Sequence, residues 1–559
     1  MVITDEQLQT LLLNKLLINQ EKLAEVKEYA KNSDMTLSDA LVEKNVLPDE
    51  FLGRIVAEYL RVPFVDLSKL SIPDEILKII PERIARRKKI IPFAKNEQGL
   101  HVAMSDPTNT SLLEMVVKKT ETKVFPYYAT VRDINNSIHI YKKDLQKVFD
   151  KLLGQSIESK AADDAPVEKL VDTLIDYAYQ DRASDIHIEP REKESLVRFR
   201  IDGILHDVLY IPKNLHDRIV TRIKILSRLR TDEHLTAQDG KMRIKLEEEN
   251  LDIRVSILPI VDGEKIVMRL LSSKSRQFSL VDLGMSEEDL GKVTKGFSKS
   301  YGMILATGPT GSGKSTSIYS ILKILNTREK NITTIEDPVE YRIKGVNQIQ
   351  VNQKTNLTFA MGLRSILRQD PNVVFVGEIR DNETAGIAVN AALTGHLVLS
   401  TLHTNDAATT LPRLTDMQVE PFLVASTVNI IMAQRLIRKI CDSCRISFTM
   451  PYQELVQHLS PEIVQKHYTP DENNQIRLYK GQGCKLCRDT GYRGRIGLFE
   501  VLVVSEAVRT LITDKKGSDE IYRAAVADGM NTMLDDGLEK VAKGLTTIEE
   551  VLRVTKIES

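Results

Sequence analysis

The sequence predicts an α/β protein built on a parallel sheet buried on both faces, and three observations carry that prediction. Four short, apolar, β-branched runs, "GMILATG", "NITTIED", "NVVFVGEI" and "HLVLSTLH", follow one another with helical segments between them. That is the pattern of strands covered on both sides by crossover helices. The first run leads directly into "GPTGSGKST" at 308–316 and then into the helix "KSTSIYSILKIL". Acidic residues follow two of the other runs, at the strand ends that face the ligand crevice in such sheets.

With 559 residues the chain has room for three or four domains, taking about 150 residues for each. Its composition, 42% hydrophobic and 28% charged, is that of an ordinary globular protein. The 77 basic and 78 acidic side chains leave no electrostatic footprint for nucleic acid, so none is expected as a partner. No window holds the roughly 20 apolar residues of a membrane span. The start, "MVITDEQLQT", carries acids and no basic leader, so no secretory signal is read. All four cysteines fall between 441 and 487, which points to a cytoplasmic protein with one local thiol site.

Residues 1–145 read as a small α/β regulatory or docking module. Within it "LLNKLLINQEKL" (12–23) aligns with "LVEKNVLPDEFL" (41–52), each a helix, a turn and a second helix start. Asp49 and Glu50 suit a first helical turn, where acids favour the dipole. From Ile90 onward, "KIIPFAK" and "LHVAM" are β-like runs bounded by "NEQG" and "SDPTN" turns. A linker is expected over 146–167, where "GQSIESKAADDAP" is small, polar and aperiodic. Residues 168–280 hold the alternating runs "SDIHIEP", "SLVRFRIDGILHDV", "NLDIRVSILPI" and "EKIVMRLL", a mainly antiparallel sheet with arginines on one face. Residues 281–559 hold the parallel series.

"GPTGSGKST" satisfies G-x-x-x-x-G-K-[ST] in the strand-to-helix context the motif requires. Gly308, Pro309, Thr310, Gly311, Ser312 and Gly313 would curl backbone N–H groups around phosphate oxygens at a helix N-terminus. Lys314 would neutralise the β- and γ-phosphates, and Ser315, followed by Thr316, would hold Mg²⁺. Glu378 follows one buried run, while Glu336, Asp337 and Glu340 follow another; the alternative for Asp337-Pro338 is simple turn chemistry. In "GHLVLSTLHTNDA", His396 and His403 stand seven residues apart, which separates them by about 20 Å along an extended strand and excludes a shared metal. The segment is expected to sense nucleotide.

Cys441 and Cys444 form one C-x-x-C pair and Cys484 and Cys487 a second, with 39 residues between the pairs. Two such knuckles complete a tetrahedral Zn²⁺ site with no open position, so the metal is expected to be structural.

The Walker A run "GPTGSGKST", the aspartate box "TIEDPVEY", the Walker B "GEIRD" and the histidine box "TGHLVLSTLHTNDA" stand in that order. The set resembles the secretion superfamily ATPases of type IV pilus assembly and type II secretion. "ASDIHIEP", "VRFRIDG", "QDGKMR" and "TTIEEVLRVT" extend the resemblance over about 168–559. It implies a RecA-like P-loop core, a PAS-like middle domain, a C-terminal zinc-bearing helical region including 441–487, and a homo-hexamer that hydrolyses ATP with Mg²⁺. It assigns phosphate-clamping roles to Arg254, Arg269, Arg364 and Arg368, and the general base to Glu340. Glu378 would serve the Mg²⁺ shell with Glu336 and Asp337 in support. By that resemblance the tetracysteine element favours an assembly or secretion motor over a retraction motor. Total length and the long N-terminal domain lean toward pilus assembly, type II secretion is the alternative, and a nucleic-acid translocase is the third reading. Implied partners are an inner-membrane platform protein and a cytoplasmic adaptor, which would hold the motor peripherally at that membrane. The family's cyclic di-GMP-binding N-terminal version starts Arg-Leu-Gly with repeated glycines. "LQTLLLNKLL" and "MTLSDALVEKNV" lack that start, so receptor and docking module both stay open for residues 1–145.

Overall fold

Each period in the sequence becomes a separate layer in the computed structural model, which describes residues 3–33, 36–43, 46–70, 72–138, 149, 167–246, 249–272, 279–442, 444–484 and 487–555. The linker expected at 146–167 lies, apart from Phe149 and Val167, outside the described residues. In the N-terminal module the helices Asp5–Asn14, Gln20–Ser33, Leu37–Glu43 and Asp49–Leu60 form two successive helix–turn–helix pairs, as the internal alignment anticipates. Asp49 and Glu50 do occupy a first turn. The helices share a core of Leu8, Leu12, Leu23, Leu41 and Leu52. Strands β1 (Ile90–Asn96), β2 (Gly99–Met104) and β3 (Val124–Tyr128) follow as a small sheet.

The middle sheet comprises β4 (Asp185–Pro190), β5 (Glu194–Ile201), β6 (Ile204–Pro212), β7 (Gln238–Lys245), β8 (Asn250–Ile260) and β9 (Gly263–Leu271). They pair antiparallel in the order β6-β5-β4-β9-β8-β7. Period-two alternation sends Ile186, Ile188, Phe199, Ile253 and Ile257 to one face, into a core shared with the helices Val167–Gln180 and Lys213–Leu226. The other face takes the charged set. Its register aligns Arg200, Asp185, Arg269, Arg254 and Lys241 as one row across β5, β4, β9, β8 and β7.

The large sheet contains β10 (Gly302–Thr307), β11 (Ile332–Glu336), β12 (Asn347–Gln350), β13 (Val373–Val376), β14 (Leu397–Leu402), β15 (Val428–Ile440) and, beyond the short strands β16 (Arg445–Pro451) and β17 (Gln475–Gly481), β18 (Tyr492–Val503). Its order is β12-β11-β13-β14-β10-β15-β18. All neighbours are parallel except β15 and β18, which run antiparallel. Every residue of β10 and β14 is buried. Met303, Leu305, Val374 and Val398 pack on the side of the helices Phe359–Ile366 and Asn382–Leu393. Ile304, Phe375 and Leu399 pack on the side of the helices Glu287–Phe297 and Lys314–Leu325.

Two expectations are refined. The sheet carries one antiparallel strand, β18. The C-terminal region is mixed rather than helical around the cysteines, which lie at the ends of β15, β17 and β18 beside the two-stranded β16–β17 sheet. The ribbon of β15 and β18 runs from inside the large sheet, where Met303 to Thr307 pair with Val428 to Ala433, out to the cysteine turns.

Leu399 is wholly buried at the centre of β14, opposite Ile304 and Phe375. Leu399→Ala should destabilise this sheet by about 3 kcal/mol through lost transfer energy and a residual cavity. A lower urea midpoint for the transition of the large sheet checks it.

Candidate functional site

Parallel pairing brings the C-terminal ends of β10, β14, β13 and β11 to one edge in that spatial order, so Gly308, His403, Glu378 and Glu336 follow neighbouring strands. After β10 the loop turns through Gly308, Gly311 and Gly313 at φ of 139°, 80° and 95°. At two of these positions a side chain is barred by space as well. A Cβ on Gly308 would meet the Gln434 carbonyl oxygen at 2.4 Å, and one on Gly313 would meet Gln434 Nε2 at 2.8 Å. Lys314 opens the following helix; its buried ammonium donates to the carbonyls of Gly308 at 2.7 Å and Pro309 at 3.1 Å. Burial lowers its pKa, and the Glu378 charge opposes that shift. Ser315 lies exposed on the first turn of the helix with Thr316 beside it.

Ser312 Oγ, Gln434 Nε2 and Arg254 Nε are buried without a hydrogen-bond partner among the described residues. All three can donate, and buried donors are normally satisfied. In a glycine-rich turn that opens a helix beside the Lys314 ammonium, the unpartnered Ser312 Oγ fits an anionic phosphate ligand. Ser315 and the carboxylates of Glu378 and Asp337 supply the hard oxygen donors that Mg²⁺ takes.

Glu378 is held between Arg380 at 2.5 Å and His403 Nε2 at 3.4 Å. The histidine loop is itself tied to the phosphate loop: Thr404 N–H donates to Thr307 Oγ1 at 3.0 Å, and the two hydroxyls are bonded to each other. Glu336 turns inward from β11, where it accepts from the Tyr319 hydroxyl, from Thr334 at 2.6 Å and from Gln348 at 3.1 Å. Burial raises its pKa. Tyr319 in turn accepts the Glu340 N–H at 3.4 Å, so Glu336 supports Glu340 through a tyrosine. Asp337 is exposed at the turn. The Glu340 carboxylate meets Arg254 of β8 at 3.0 Å, and that guanidinium also donates to the Val339 carbonyl at 3.2 Å. Arg269, next to Arg254 in the row, pairs with Asp185 at 2.9 Å.

Two residues expected at the site, His396 and Arg368, are elsewhere. His396 immediately precedes the six-residue β14 and His403 immediately follows it. At a 3.3 Å rise the two imidazoles are about 20 Å apart, and His396 Nδ1 lies 3.0 Å from the Ala391 carbonyl, closing a helix end. Arg364 pairs with Glu383 at 2.5 Å and Arg368 with Ser365 Oγ at 3.2 Å. Both are exposed. The carbonyl of Gln369, next to Arg368, accepts from Asn331 just before β11 at 2.7 Å, so Arg368 lies toward the sheet edge away from the phosphate loop. Glu383, the partner of Arg364, is instead in the first turn of the helix that opens after Glu378.

Two residues of the site were missed. Gln434 accepts from Ser317 Oγ at 2.7 Å while its backbone and amide bound the glycine loop. Glu500 of β18, buried, accepts the Ala407 N–H of the histidine loop at 2.9 Å. Glu500 stands as the one charged residue in the apolar run "IGLFEVLV", the signal that could have found it, whereas Gln434 lies among other polar residues of β15 and has no such signal.

The four cysteine sulfurs lie within 4.8 Å of one another, with Cys441–Cys484 at 3.9 Å, Cys444–Cys487 at 3.8 Å and Cys484–Cys487 at 3.7 Å. Ligands about 2.3 Å from a tetrahedral zinc would be about 3.8 Å apart. The N–H groups of Cys484 and Gly491 point at Cys487 Sγ, at 3.1 and 3.3 Å. The set fits zinc.

Residues 160–553 match the family described as Type II/IV secretion system protein, and residues 60–146 match the MshEN domain. The type IV pilus assembly ATPase PilB of Myxococcus xanthus is 37% identical over 562 residues, 98% of each chain. The type II secretion system protein E of Pseudomonas aeruginosa is 44% identical over 415 residues, 74% of this chain and 80% of that protein. The X-ray structure of the Legionella pneumophila ATPase DotB shares the fold, with a TM-score of 0.51 at 21% identity over 68% of this chain and 94% of that one.

Burial pushes Glu500 up to about 7. Because the folded pKa exceeds the unfolded value, its neutral form is the favoured one, and that contribution is present at low pH and lost as pH rises through 7. Glu500→Gln should therefore be more stable than wild type at pH 8, by on the order of 3 kcal/mol, with the difference vanishing below about pH 4.5. Melting temperatures of both proteins across that range check it.

Proposed function

The chain belongs to the type II/IV secretion ATPase family, and from that premise we propose that it is the ATP-hydrolysing motor of type IV pilus assembly. The observation that carries the pilus reading is coverage. Similarity to the pilus assembly ATPase of Myxococcus xanthus runs through 98% of both chains, N-terminal module included, whereas the Pseudomonas aeruginosa type II secretion relative matches over 74% of this one. The second reading, a type II secretion ATPase, rests on the higher identity of that shorter match, 44%.

In the proposed mechanism residues 281–559 bind ATP and residues 168–280 close on it. The loop from Gly308 to Thr316 takes the phosphates on backbone N–H groups, with Lys314 leaving its own loop carbonyls for the β- and γ-phosphates. Ser315 and Glu378, with Asp337 in support, would hold Mg²⁺, which when bound would neutralise phosphoryl charge. Glu340 orients the attacking water and accepts its proton, anchored by Tyr319 and Glu336. Arg254, with Arg269 beside it, presents guanidinium charge to the phosphates from the middle sheet. His403 holds Glu378 in place and reports the state of the phosphate loop through Thr404 and Thr307. Arg368, remote from the loop in one chain, is assigned to contacts between subunits of a hexamer, and Arg364 keeps the phosphate-clamping role that the resemblance implies. Cys441, Cys444, Cys484 and Cys487 hold a structural Zn²⁺. No helix among the described residues is long and apolar enough to cross a membrane, so the motor works there through a platform protein and an adaptor.

Purified full chain should release phosphate from ATP with magnesium. Lys314→Ala and Glu340→Gln should each lose on the order of 100-fold or more in kcat. Phosphate release at saturating ATP tests this, and a Lys314→Ala protein as active as wild type would overturn the motor reading. Elemental analysis should find about one zinc per chain, lost in Cys441→Ser. Calorimetric titration with cyclic di-GMP separates the two N-terminal readings, since saturable binding makes the module a receptor and its absence leaves a docking role.

A further inference from the structure

The middle sheet touches the motor core near the nucleotide loop through Arg254, but also at a second place that the reaction scheme leaves unused. Arg488, one residue beyond Cys487, reaches Asp181 just past the helix Val167–Gln180 at 2.5 Å. The backbone N–H of Gly494 donates to Asp202, in the turn between β5 and β6, at 2.6 Å. Both carboxylates belong to the middle layer, while the donors belong to the cysteine turn (Arg488) and to the start of β18 just beyond it (Gly494). Asp181 and Arg488 are mostly covered, with side chains 14% and 33% exposed, so the pair is better shielded from solvent than a surface ion pair. Around these contacts the joint is polar and not packed. A cleft of about 80 Å³ remains there, lined among others by Arg182, His206 and Arg493.

What this joint holds is the far end of the β15–β18 ribbon. The two strands pair from Ile430–Val503 through Arg438–Arg495 without interruption. Arg438 stacks on Tyr492 at 4.2 Å and pairs with Glu550 of the last helix at 2.6 Å. At the near end of the same strands sit Gln434, against the phosphate-loop glycines, and Glu500, which holds the histidine loop. A hydrogen-bonded ribbon transmits position along its length because slipping it by one residue would turn every side chain to the opposite face.

We propose that Asp181, Asp202 and Arg488 are positioning residues that clamp the middle sheet to the cysteine end of this ribbon and thereby set how Arg254 meets Glu340 and the bound nucleotide. The clamp makes the cysteine turn part of the link between the two modules as well as a local staple. It rests on the ATPase reading for its kinetic consequence alone.

The test uses full-length Asp181→Arg, Arg488→Asp and the double exchange that restores the pair with reversed polarity. Each single variant should raise the KM for ATP about tenfold with kcat within about twofold, as expected when binding geometry and not chemistry is disturbed. Zinc content and melting temperature should stay near wild type, and hydrogen exchange at the Gly494 amide should quicken. The double exchange should bring KM and exchange back to within about twofold of wild type, the coupling that a contacting pair shows. Unchanged KM and exchange in the single variants would overturn the clamp. So would a double exchange as impaired as the worse single, since each residue would then act only on its own element. Should wild type hydrolyse no ATP, the motor reading falls, and Gly494 exchange in the three variants still decides the clamp.

Discussion

Parallel pairing of β10, β14, β13 and β11 is the constraint on which the rest depends. With both faces of the sheet covered by helices, only its edges remain for chemistry, and a parallel sheet sends all its strand C-termini to the same edge. Segments scattered from Gly308 to His403 therefore meet without further design. The helix Lys314–Leu325 completes the crevice, because its N-terminus opens where β10 ends, bringing unpaired N–H groups and partial positive charge to that edge.

The crevice works against the cost of burying charge. Lys314 is enclosed, and its ammonium donates to two carbonyls of its own loop. A group so placed gains strongly from phosphate, since the pair would interact in low dielectric. Glu336 shows the opposite solution. It is buried among hydroxyl and amide donors from Tyr319, Thr334 and Gln348, so a carboxylate in a strand end becomes a support rather than a reagent. Two acids four residues apart thus part company by environment alone, Glu336 facing the core and Glu340 facing Arg254.

The middle sheet supplies charge by register. Arg200, Asp185, Arg269, Arg254 and Lys241 share one row, in which neighbouring cations repel. Asp185 relieves part of that repulsion through Arg269 and Arg200. Arg254 finds its counter-charge in another module, on Glu340. Coupling between the modules therefore lies in a bond that nucleotide would compete for, and the cysteine end of the β15–β18 ribbon gives the same two modules a second point of contact.

Much of this was legible in residue order. Glycine spacing, β-branched runs and period-two alternation are local signals, so they determined the phosphate loop, the parallel strands, the arginine face of the middle sheet and the two cysteine knuckles. Seven-residue spacing on a strand likewise determined that His396 and His403 could not act together, and that only the one at the strand's C-terminal end, His403, could reach the crevice. The inward turn of Glu336, the remoteness of Arg368, and the roles of Gln434 and Glu500 were decided by tertiary structure. The reason is physical: these depend on which strands become neighbours and on what each side chain is buried against, and both are set by pairing across tens or hundreds of residues that no local pattern encodes.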